Sequence, residues 1–191
     1  MKVRDMSTLS RRSFLLAAGA GTAFTAACGN GVGNSNAATL DARVDATRDY
    51  LFSQYPGTRA LADKALGVLW MPLITEAGFF VGGSFGRGAL RIDNVTVDYY
   101  SATQGSFGFQ IGAQQYAHAL FFMTPEALSE FRGSAGWSAG ADLEYAVNDQ
   151  AGNLSAKTLT AMDPIIAIVF GQAGLIIGAS LEGTKYTRII P

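Results

Sequence analysis

The sequence predicts an α+β domain: a curved, glycine-rich, mainly antiparallel β-sheet, open or barrel-like, carrying a few short helices. Three observations predict it. Hydrophobic residues make up 49% of the 191 residues and charged residues 15%, enough apolar material for one core. Glycine occurs 23 times, inside apolar runs rather than in a third-position repeat. Those runs are short, consecutive and separated by polar turns, which favours antiparallel neighbours.

The first element is an address. Residues 1–27 read as a removable export signal. Arg11, Arg12 and Phe14 fit the twin-arginine export pattern, with Leu16 where a lysine often stands. An ordinary secretory signal with two arginines is the alternative. The apolar stretch that follows is short and rich in Gly and Ala, unsuited to a stable membrane span. Thr25, Ala26, Ala27 and Cys28 resemble a lipobox, with Thr25 in place of the usual leucine. Cleavage is expected after Ala27, whichever peptidase acts. Cys28, the only cysteine, is expected to carry the diacylglycerol thioether and its acyl chains, palmitate among them. Gly29 follows it rather than an aspartate, which favours the outer over the inner membrane.

Residues 28–39 are mainly Gly, Asn, Ser and Ala and read as a flexible tether. The domain is expected over 40–191. Leu40, Val44, Thr47, Leu51 and Tyr55 fall at helical spacing, and Pro56 and Gly57 end that helix. A second short helix is expected over 58–66. A third opens at Thr124 as N-cap, with Pro125 at the first helical position, Glu126 in the first turn and Gly133 at the end. Strands are expected over 68–74, 79–85, 89–92, 95–100, 107–123, 143–147, 165–170, 175–181 and 186–190.

Composition excludes several functions. The chain is too apolar and too weakly charged for a disordered tail. One cysteine excludes an internal disulfide. One histidine and one cysteine exclude the usual zinc, haem and iron–sulfur ligand sets, so no metal or cofactor is expected. Net charge is −1, and loss of residues 1–27 leaves 10 basic and 14 acidic residues, so nucleic acid is not an expected partner.

Three segments, 78–84, 108–114 and 174–180, share one pattern: Gly, apolar, any, apolar, Gly, small, polar. In a strand the two glycines share one face and the apolar pair the other, which suits bending or close backbone approach.

The run from Gly78 to Gly88 resembles the glycine-rich segment of the SYLF-domain family, a lipid-binding family. So do Phe122, Met123, Thr124, Pro125, Glu126, Ala127 and Leu128; Gly140, Ala141 and Asp142; and the segments 170–175 and 180–186. They occur in family order between about Arg59 and Pro191. The resemblance implies a compact α+β domain that binds lipid, has no known catalysis, and in bacteria is exported. Eukaryotic members bind phosphoinositides through a basic amphipathic helix. Here residues 41–64 balance Asp41, Asp45, Asp49 and Asp63 against Arg43, Arg48, Arg59 and Lys64, so phosphoinositide specificity does not carry over. Actin is not an expected partner in a bacterial envelope.

Enzymatic readings are weak. Residues 82–88 lack the Gly-Lys-Ser/Thr of a phosphate loop. His118 has no nucleophile elbow to serve. Glu126 and Glu130 read as a solvated helix face. The expected function is therefore that of a lipid-anchored, non-catalytic envelope protein whose domain binds membrane phospholipid. The alternative is an envelope protein-interaction module held at the membrane by its anchor alone. Arg59, Lys64, Arg87 and Arg91 are the candidate headgroup contacts, with apolar contact expected to supply most of the affinity.

Overall fold

The structure is a computed structural model that describes residues 35–140, 144–145, 163–171, 174–175 and 181–191. The export signal, Cys28 and Gly178 lie outside these residues. Two helices come first, α1 (Ser35–Gln54) and α2 (Gly57–Lys64). Two long strands follow, β1 (Gly67–Ile92) and β2 (Val95–Phe122), then α3 (Pro125–Gly133). The remaining elements are β3 (Trp137–Ser138), β4 (Glu144–Tyr145), β5 (Ile165–Gly171), β6 (Gly174–Leu175) and β7 (Lys185–Ile189).

The helices arise as the sequence predicts. Val44 and Leu51 repeat at two-turn spacing and are buried. Thr124 is extended, and its hydroxyl accepts from the Ala127 backbone N–H at 3.3 Å, with Pro125 behind it. α1 starts at Ser35, inside the stretch read as tether. Ala37 and Ala38 are strong helix formers and let the helix extend ahead of Leu40.

The sheet is a seven-stranded, curled half-barrel, antiparallel except where β4 pairs with β5. Its frame is the β1–β2 ribbon. The expected strands 68–74, 79–85 and 89–92 are one continuous strand, as are 95–100 and 107–123. Asp93 and Asn94 close the ribbon with φ of 49° and 62°, the left-handed pair that a two-residue hairpin demands. On its other edge, β2 pairs first with β7 and later with β5.

The ribbon bends, and its sequence explains the bend. The echoing segments 78–84 and 108–114 are part of the same antiparallel register: Gly78 faces Gly112, and Phe80 faces Gly108 across an irregularity. Pro72, which cannot donate to the ladder, sits at a second irregularity between Met71 and Ile74. The bend brings the two arms of β1 together. Gly67 lies against Arg91 and Ile92, Gly86 against Leu73 and Ile74, and Gly88 against Trp70 and Met71. A Cβ at Gly86 would stand 2.5 Å from the Leu73 carbonyl oxygen, so no larger residue fits there without movement.

The sheet is covered on both faces. Alternation along β1 sends Val68 and Trp70 to the cluster under α1 and α2, and Leu69 and Met71 to the cluster under α3. The first cluster adds Phe121, Ile166, Ile168 and Phe170. The second centres on Phe131 of α3, whose ring lies 4.7 to 6.0 Å from those of Tyr100, Phe122, Trp137 and Tyr186. Two-sided burial explains why 166–170 is an unbroken apolar run.

Candidate functional site

α1 is fastened to the ribbon by a polar lattice. Tyr99 Oη donates to Asp41 Oδ2 at 2.8 Å and Thr96 Oγ1 donates to Asp41 Oδ1 at 2.9 Å. Arg91 Nη1 donates to Asp45 Oδ1 at 2.5 Å, and Arg91 Nε to Thr96 Oγ1 at 3.3 Å. The hydrogen bond from Arg91 holds the Asp45 carboxyl below its usual range, against the opposing effect of burial. Burial, followed by the Asp41 carboxylate, pushes the Tyr99 hydroxyl up to about 12.

Beside this lattice, α1, α2 and the first arm of β1 enclose a cleft of about 490 Å³. Its walls are mainly polar. Arg48, Arg59 and Arg91 line it together with Asp49, Asp63 and Asp93, so its charges balance, and Phe52 and Trp70 form its apolar side. Phe52 packs edge-on to Trp70 at 5.9 Å. The Arg59 guanidinium stands 4.9 Å from the centre of the Phe52 ring, within cation–π range. The three arginines are not equivalent. Arg48 pairs with Asp45 and Asp49 at 3.3 and 2.8 Å. Arg91 is only 7% exposed and committed to Asp45. Arg59 is exposed and pairs with no acid among the described residues. A guanidinium placed over an aromatic ring, with no acid partner among the described residues, can donate its N–H groups to a phosphate or carboxylate.

The sequence-predicted headgroup contacts therefore divide. Arg59 and Arg91 meet at the cleft, but Arg91 serves as an internal strut and not as a free cation. Lys64 is exposed in the last turn of α2. Arg87 lies on the second arm of β1, with its guanidinium 6.0 Å from the centre of the half-exposed Phe85 ring. Sequence reasoning did not single out Arg48 and Phe52 as site residues. Their spacing of four already places them on one helix face. Their meeting with Trp70 depends on the fold and had no local signal.

The enzymatic candidates also find their places. Residues 82–88 are strand, with no phosphate-cradling turn. Glu126 and Glu130 are exposed on α3. His118 is sealed in the core, where its Nε2 and the Tyr186 hydroxyl share a hydrogen bond at 2.8 Å. Burial pushes its pKa down to about 3, so it is neutral at ordinary pH.

Against known proteins, residues 103–188 match the model of a family described as Ysc84, Las17-binding protein actin regulator. That segment, which runs from within β2 almost to the end of β7, is similar to the Ysc84/SYLF family, consistent with the motif resemblance read from the sequence. The cleft residues Arg48, Phe52, Arg59, Trp70 and Arg91 precede the matched segment. No curated protein matches the chain.

Proposed function

We propose that the protein is an exported, lipid-anchored component of a bacterial envelope whose domain engages phospholipid at the membrane surface without catalysing a reaction. The match of residues 103–188 to the Ysc84/SYLF family model supports a domain of this type. The observation that carries the reading is Arg59. It is an exposed guanidinium over the Phe52 ring in the wall of a polar cleft, without an acid partner among the described residues. The polar walls, which mix arginines with aspartates, suit a lipid headgroup better than an acyl chain, and Arg59 is the cation that would meet its phosphate. Headgroup contact at Arg59 thus takes precedence over the apolar contact expected from sequence. Actin, which the family description mentions, is not a partner on this reading, because an exported protein does not meet it.

The test is flotation of the full Cys28→Ser chain, which lacks the anchor, with vesicles of phosphatidylethanolamine and phosphatidylglycerol. Binding should fall severalfold on Arg59→Gln and stay unchanged on Arg87→Gln. Equal binding by wild type and Arg59→Gln would remove the cleft from the account. Absence of binding by every variant would favour the protein-interaction module.

A further inference from the structure

Three exposed apolar side chains gather where the first turns of α1 meet the sheet. Val95 is 64% exposed, Val97 38% and Ile190 79%. Val95 and Val97 flank Thr96, whose hydroxyl bonds Asp41 of α1. Ile190 follows Ile189, which is the register partner of Tyr99, the other residue bonded to Asp41. The start of α1, the start of β2 and the end of β7 therefore share one corner of the domain.

Two arginines edge that corner. Arg132 and Arg188 both pair with Asp98, at 2.9 and 3.4 Å, so two guanidinium groups share one carboxylate, and with Asp41 and Asp93 the corner mixes both signs of charge. Both arginines are exposed, and Arg188 Nη2 also donates to the Arg132 carbonyl at 2.6 Å. Asp98 follows Val97 directly. Apolar side chains edged by arginine match a lipid interface, where the former enter the acyl boundary and the latter meet phosphates.

Chain length selects the same corner. Cys28 and Ser35 are seven residues apart, a typical span of about 15 Å for a Gly- and Ser-rich linker. A domain of this size has a radius of gyration of about 15 Å and is roughly 40 Å across. An acyl chain on Cys28 thus keeps the start of α1 on the membrane-proximal side. We infer that the anchored domain rests on the bilayer through Val95, Val97 and Ile190, with Arg132 and Arg188 at headgroup level. This inference rests on the lipid-anchor reading above, but concerns a different surface from the cleft.

The experiment uses the full acylated chain, in which Cys28 is blocked, carrying one added cysteine for an environment-sensitive fluorophore. Val97→Cys and Ile190→Cys report on the corner, Gln54→Cys on the other end of α1, and Phe85→Cys on the second exposed apolar site. Each is reconstituted in phosphatidylethanolamine–phosphatidylglycerol vesicles containing spin-labelled lipid. Probes at 97 and 190 should shift to the blue and be quenched, while the probe at 54 stays aqueous. Quenching at 85 or 54 with dry spectra absent at 97 and 190 would overturn the orientation. Aqueous probes at all four sites on vesicle-bound protein would overturn it too, leaving the anchor intact. Failure of the chain to enter vesicles at all would bring down the anchor reading and this inference together.

Discussion

At the residue scale, two arginines of one cleft do different work. Arg91 makes hydrogen bonds to charged and polar partners that join α1 to the ribbon. Arg91→Ala should cost about 1.5–3 kcal/mol of stability, read from chemical denaturation. Arg59→Gln should leave stability within about 0.5 kcal/mol of wild type, because the side chain is exposed. Equal losses from the two would refute the division between strut and ligand contact. His118 gives a pH signature. Its folded pKa is lowered to about 3, below its ordinary 6.5, so the unfolded chain takes up the proton first as pH falls. Stability should be full above about pH 6.5 and decline toward pH 3, at about 1.4 kcal/mol per unit. Because the chain has one histidine, the slope between pH 6.5 and 5 belongs mainly to that group. His118→Gln should flatten it, as thermal melts across that window would show. An unchanged slope in the variant would place the acid sensitivity elsewhere.

At the element scale, the glycines of β1 permit its two arms to touch. Gly88 abuts the Trp70 carbonyl and the Met71 side chain, whereas nothing lies within 4 Å of a Cβ placed at Gly105. Gly88→Ala should therefore cost on the order of 1–3 kcal/mol or more, and Gly105→Ala should be neutral or slightly stabilising. Matching melting temperatures for the two variants would mean that the arms do not pack as described. The glycine pattern was legible in the sequence, and so were the helices, since capping and 3.6-residue periodicity are local signals. The merging of 68–74, 79–85 and 89–92 into one strand was not. Gly and Pro usually punctuate strands, and only the pairing of β1 with β2 shows that here they bend one. The sorting of aromatics was equally hidden: nothing local distinguishes Phe131, enclosed by four rings, from Phe85, which is 50% exposed.

At the scale of the whole molecule, the sequence predicts export and anchoring, and the fold supplies a polar cleft and a corner of exposed apolar side chains. Cys28→Ser should turn a membrane-bound protein into a released one, because the variant loses the acyl chains, each worth about 0.8 kcal/mol per buried methylene. Fractionation that finds the serine variant still in the membrane after a high-salt wash would assign the retention to the domain or to an uncleaved signal. The cleft was half-legible at this scale: Arg59 and Arg91 could be named as cations, but their convergence with Arg48, Phe52 and Trp70 requires α1 to cross the sheet.

The measurement that tests the central claim most directly is flotation of the full Cys28→Ser chain with two vesicle types of equal chain length and fluidity, one of phospholipid and one of phosphate-free glycolipid. A domain that reads the headgroup through Arg59 should bind the phospholipid vesicles, bind them severalfold less on Arg59→Gln, and show little affinity for the glycolipid. Equal binding to both vesicles, indifferent to Arg59, would contradict the account and return the affinity to apolar contact alone.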